Sequence, residues 1–117
     1  MNRQENLVIW HNPRCAKSRE TLQLIQAQGF KVKVRLYLSD HPTSSELTKV
    51  VEALNTSAEA LVRKGEALFK SLDNLPSSEK EWINLLVKYP ILIQRPIVLN
   101  GRKAAIGRPP ENILSIL

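Results

Sequence analysis

Residues 7–29 read LVIWHNPRCAKSRETLQLIQAQG, from Leu7 to Gly29, and their reading decides the fold. Leu7-Val8-Ile9-Trp10 is a short apolar run of the kind that forms a buried strand. Asn12-Pro13 marks a turn. From Ala16 to about Gln28 the residues favour helix, with Leu22 and Ile25 on one face and Gly29 as a C-terminal stop. Cys15, the only cysteine in the chain, therefore falls between a strand and the first turn of a helix. Unsatisfied backbone N–H groups and the helix dipole favour negative charge there. A thiolate so placed has a depressed pKa and is the reactive form of cysteine. The same N–H groups can cradle an oxyanion.

The neighbours of Cys15 point the same way. Arg14, Lys17 and Arg19 add positive charge, and His11 is a candidate general base or charge partner. Cys15-Ala16-Lys17-Ser18 has the spacing of a dithiol redox motif with serine in the second position. That excludes a two-cysteine thioredoxin mechanism and leaves a monothiol one, with the resolving thiol supplied by another molecule. Ser18 is expected to bond the sulfur or cap the helix. Arg19, four residues after Cys15, does not match the Cys-x5-Arg loop of low-molecular-weight tyrosine phosphatases.

Outward from this stretch, Val32, Val34, Leu36 and Leu38 alternate with Lys33, Arg35 and Tyr37, which predicts a strand with the aliphatic set on its buried face. Thr43 and Glu46 have capping-box spacing, and Leu47, Val50, Val51 and Leu54 follow helical periodicity. A helical piece is predicted from Ser57 through Leu61, another over "EALFKSL", and a helix after a second capping box at Ser78 and Glu81, ended by Pro90. Ile97 to Ile106 reads as a hairpin turning at Asn100-Gly101, and Pro109 as the start of a last helix. The order is βαβ, a helical insertion over about 43–89, then ββα. The expectation is one α/β domain over residues 1–117 with a four-stranded mixed sheet.

Bulk properties narrow the function. With 117 residues, 43% hydrophobic and 24% charged, the chain fits one ordinary globular domain. No apolar run is long enough to span a bilayer, and "MNRQENLVIW" lacks the apolar stretch of an export signal, so a cytoplasmic protein is expected. A lone cysteine gives neither an internal disulfide nor a thiol-rich metal site. The net charge of +6 suits an anionic ligand, whereas aromatic residues at only 5% give little support to nucleic-acid binding. Arg63, Arg95 and Arg108 each stand at an element boundary, where a guanidinium can grip an oxyanion bidentately.

Taken together, "HNPRCAKSRETL", "ALVRKGEALFKSL" and "YPILIQRPIVLNGRKAAIGRPPENIL", in this order, resemble the ArsC-type arsenate reductase family, of thioredoxin/glutaredoxin-like fold, and especially its YfgD-like branch. The resemblance covers essentially the whole chain. It implies that Cys15 is the nucleophile attacking arsenate, with His11 opening the motif. Arg63, Arg95 and Arg108 become an oxyanion-binding triad, and Pro96 a cis proline facing the active-site loop. It further implies glutathione as co-substrate, glutaredoxin as partner, no metal or tightly bound organic cofactor, and action as a monomer. Two other readings share parts of this pattern: a non-catalytic thioredoxin-fold regulator binding RNA polymerase, and a glutathione-linked monothiol oxidoreductase without an arsenate role.

Overall fold

The computed structural model describes residues 6–117. The absence of an export signal read in "MNRQENLVIW" rests partly on residues 1–5, outside those described. Two compact units divide the chain: the stretch up to Asp40 together with Arg95–Leu117, and His41–Gln94. The helical insertion expected over about 43–89 falls inside the second.

The first unit is a mixed four-stranded sheet in the order β2-β1-β3-β4. Strand β1 is Leu7–Trp10, β2 Lys33–Arg35, β3 Ile97–Asn100 and β4 Lys103–Ile106. Parallel pairing of β1 with β2 requires a crossover, which helix α1, Ala16–Ala27, supplies. β3 pairs antiparallel with both β1 and β4. Leu7, Ile9, Ile25, Val98, Ile113 and Ile116 close into one buried cluster between the sheet, α1 and the C-terminal 3-10 helix Pro110–Ile116. Burying such side chains stabilises by roughly 1.5–3 kcal/mol each, which outweighs propensity differences of under about 1 kcal/mol per residue. Gly29, at φ 86°, ends α1 in the left-handed conformation predicted for a helix stop.

Three departures from the predicted elements have local causes. The strand expected over residues 32–38 is only Lys33–Arg35, and the chain turns at Leu36. Val34 neighbours Ile9 as the aliphatic pattern implied, but at the sheet edge it stays exposed, as do Leu36 and Leu38. Tyr37, expected to face outward, is fully buried and stacks on Trp10 with ring centroids 6.5 Å apart. The hairpin turn lies one residue later than predicted, at Gly101-Arg102, because Asn100 pairs with Lys103. Gly101 takes φ 61° at the first central position, where a type II′ turn places glycine, and the Asn100 amide donates to the Ile116 carbonyl at 2.6 Å. The last helix begins at Pro110, one residue beyond the proline expected to open it, and is 3-10 throughout.

The second unit packs α2, Ser44–Ala53, against α4, Glu79–Lys88. Its buried core includes Leu47, Val50, Val51, Leu61, Trp82, Ile83 and Leu86. The Thr43–Glu46 capping box forms with both arms. At Ser78 only one arm forms as predicted, since the Glu81 carboxylate turns back to the Ser77 N–H instead. The piece expected from Ser57 is a single 3-10 turn, Glu59–Leu61, and α3 is Ala67–Lys70. Among the described residues no helix is long and apolar enough to cross a membrane.

Candidate active site

Strand β1 ends at Trp10, but its pairing runs one residue further: the His11 N–H donates to the Arg35 carbonyl at 2.8 Å. The chain then folds on itself. The Asn12 side-chain oxygen accepts from the Arg14 N–H at 3.0 Å, an Asx turn. The Asn12 carbonyl accepts from the Cys15 N–H at 2.9 Å. Cys15 thereby takes the N-cap position of α1 with extended backbone, φ −92° and ψ 122°. No side-chain hydrogen bond closes this cap. The sulfur stands instead against the backbone N–H groups of Lys17 and Ser18.

Two arginines from the far side of the unit converge on the sulfur. Arg108, two residues after the end of β4, donates through Nη2 to Cys15 Sγ at 3.5 Å and through Nε to the Arg95 carbonyl at 2.6 Å. The Arg95 side chain also donates to the sulfur. Partial burial on its own pushes the Cys15 thiol up. The Ser18 N–H, the Arg95 side chain, the Lys17 N–H and the Arg108 charge act against it and together hold the pKa below the ordinary value. The result is a half-exposed sulfur beside two guanidinium groups, with its ionised form favoured relative to a free cysteine.

The other predicted residues have different duties. Ser18 is fully buried, and its hydroxyl lies 2.6 Å from His11 Nδ1 and accepts from the Asn12 N–H at 3.0 Å. Its backbone rather than its hydroxyl serves the sulfur. Burial, then the nearby Arg19 charge, lower the His11 pKa and favour the neutral ring. Lys17 pairs with Glu20 at 3.4 Å on the surface, so its N–H matters more to the thiol than its ammonium. The Arg95–Pro96 peptide is cis, with Pro96 buried, and the Arg108–Pro109 peptide is cis as well. Arg63 lies in the second unit, where its Nε donates to Glu66 at 3.1 Å.

Two contributors were not singled out from the sequence. Asn12 builds the turn that sets Cys15 at the helix start, and Asn before Pro was its only signal. Arg19 counted only as local charge, yet its Nη1 donates to the Pro13 carbonyl at 2.9 Å and clamps the loop to α1. A groove of about 710 Å³ in the second unit, lined by Ser44, Thr48, Glu52, Glu79 and Asn84 among others, contains neither cysteine nor arginine. Among the described residues no cluster of three His, Cys, Asp or Glu is placed to hold a metal ion.

This arrangement can do two things: attack an electrophile with sulfur, and hold an anion beside that sulfur. The model of the ArsC family matches residues 10–116. An arsenate reductase of Haemophilus influenzae is 42% identical over 115 residues, covering 96% of this chain and 99% of that protein. The Escherichia coli protein YfgD, itself uncharacterised, is 44% identical over 93% of this chain and 94% of its own length. A solved structure titled arsenate reductase, from Vibrio cholerae, superposes with TM-score 0.90 at 39% identity, covering 95% of this chain and 97% of that one.

Proposed function

The chain belongs to the ArsC family, and on that premise we propose that it reduces arsenate to arsenite through a Cys15–arsenic adduct. The observation that carries the reading is the convergence of Arg95 and Arg108 on the Cys15 sulfur at a helix N-terminus. A monothiol oxidoreductase without an arsenate role would use Cys15 but has no need of two guanidinium groups. A regulator of RNA polymerase needs neither a depressed thiol pKa nor an anion site.

In the proposed cycle the Cys15 thiolate forms a sulfur–arsenic bond to arsenate, and a hydroxide leaves with a proton as water. Glutathione adds a second sulfur–arsenic bond with loss of another water. The thiolate of glutaredoxin then attacks the glutathione sulfur. The electron pair of the breaking sulfur–arsenic bond passes to arsenic, which becomes As(III), while the two external thiols become a mixed disulfide. Water releases arsenite and returns Cys15. Both external thiols are required because the chain has one cysteine, and no metal or organic cofactor enters.

Arg95 and Arg108 stabilise the charge gathered on the arsenate oxygens. Neutral His11 with Ser18 holds the loop and leaves the charge balance to the arginines. One chain carries the protein groups the proposed cycle uses, so a monomer suffices, and use of glutathione and glutaredoxin fits a cytoplasmic protein. Arg95→Ala and Arg108→Ala should each lower kcat/KM for arsenate by roughly 10²–10³-fold, the usual cost of removing an oxyanion donor, with the unfolding transition preserved. Full activity in either variant would contradict the reading.

A further inference from the structure

We infer that Gly107 and Thr21 are positioning residues that set the Arg108 guanidinium against Cys15 by allowing the end of β4 to lie directly on the first turns of α1. The inference rests on the arginine–thiolate pairing of the proposed function, but its test does not require arsenate.

Gly107 is buried, immediately precedes Arg108 and is the only one of the four glycines with crowded surroundings. A Cβ built there would meet both side-chain branches of Thr21, with Cγ2 at 3.0 Å, and Pro96 Cγ at 2.8 Å. Its φ is not in the left-handed region, so space, not backbone conformation, demands glycine here. Thr21 is fully buried one turn beyond Lys17, to whose carbonyl its hydroxyl donates at 2.7 Å; the Gly107 carbonyl lies 3.5 Å from the same hydroxyl. The Gly107 N–H donates to the Pro96 carbonyl at 2.9 Å.

Thr21 stands six residues along the helix that Cys15 caps, and Pro96 follows Arg95 directly. The contact therefore joins the three pieces of chain that carry Cys15, Arg95 and Arg108. An added methyl at Gly107 cannot be met by a flexible side-chain end, because its neighbours are a β-branched residue and a proline ring. The chain at Gly107 must move away from α1 and take Arg108 with it.

The experiment measures iodoacetamide alkylation of Cys15 against pH in Gly107→Ala, in Thr21→Ala/Gly107→Ala and in the unmodified chain, with circular dichroism as the check of folding. Losing the Arg108 contact should raise the thiol pKa in Gly107→Ala by roughly half to one unit, since hydrogen bonds to a charged partner are the strong ones. The double variant, which removes both Thr21 contacts, should recover part of that rise. A folded Gly107→Ala with an unchanged thiol pKa overturns the inference, as does a double variant no different from the single one. Should Gly107→Ala fail to fold, Thr21→Val, which keeps the shape and loses the hydroxyl, decides the matter: a raised pKa supports the inference and an unchanged one overturns it. In the folded variants KM for arsenate should rise with the thiol pKa. If the unmodified chain turns over no arsenate while the pKa shifts as expected, the arsenate reading fails and the positioning role stands.

Discussion

The sulfur of Cys15 is held between opposing influences, and the balance has consequences for pH. Burial disfavours the thiolate, while two backbone N–H groups and two arginines favour it and prevail. Alkylation should therefore half-titrate below the ordinary cysteine value of about 8.5. The folded chain binds its thiol proton less tightly than the unfolded chain. Stability from this group is thus fully present above the ordinary value, and it is lost as pH falls through the depressed one. Urea unfolding should show stability rising as pH approaches about 8.5 from below, and Cys15→Ser should remove that part of the rise. The His11 pKa is lowered too, in its case by burial and then by the Arg19 charge, and it acts at lower pH, its contribution being lost as pH falls below about 6.5. The thiolate was legible in the sequence because a turn, a cysteine and a helix start are all local features. The duties of Ser18, Arg19 and Gly107 were not, because each depends on partners that only folding brings near.

Helix α1 begins on a cysteine where serine, threonine or aspartate would serve stability better. The sulfur faces the Lys17 and Ser18 N–H groups without closing a geometric cap hydrogen bond, and a carboxylate is the stronger acceptor, so Cys15→Asp should stabilise the fold by roughly 0.5–2 kcal/mol, with its carboxylate facing Arg95 and Arg108, while arsenate reduction disappears. Thermal unfolding checks this, and a lower stability would contradict the N-cap role. Strand β2 shows where periodicity misleads. Alternation from Val32 to Leu38 identified a strand but could not show that it ends at Arg35, since the stop is set by how few residues β1 offers to pair with. Tyr37→Ala should cost about 3–5 kcal/mol, as loss of a buried aromatic side chain does. Leu36→Ala and Leu38→Ala should stay within about 0.5 kcal/mol. Comparable losses at all three positions, read by urea unfolding, would restore the predicted strand. Signals confined to a few residues, such as the Thr43–Glu46 box and Gly29, were read correctly. The hairpin turn falls one residue later because Asn100 still pairs with Lys103, a register that the Asn-Gly dipeptide alone does not reveal.

At the scale of the whole chain, the order βαβ, helices, ββα was readable because each element carries its own periodicity. The mixed sheet and the thioredoxin-like fold followed from that order and from the motifs. The division at His41 and Gln94 was approached only within a few residues, since no change in composition marks it. The candidate site draws on distant parts of the sequence: Cys15, Arg95 and Arg108 come from separate stretches of the first unit and meet at the sulfur. Such a distribution cannot be found from spacing alone, and the family motifs supplied it. The most direct measurement is arsenite production from arsenate by the purified chain with glutathione, glutaredoxin and a recycling system, compared with Cys15→Ser. The account predicts turnover in the unmodified chain and none in the variant. No turnover in either, or equal turnover in both, would contradict it.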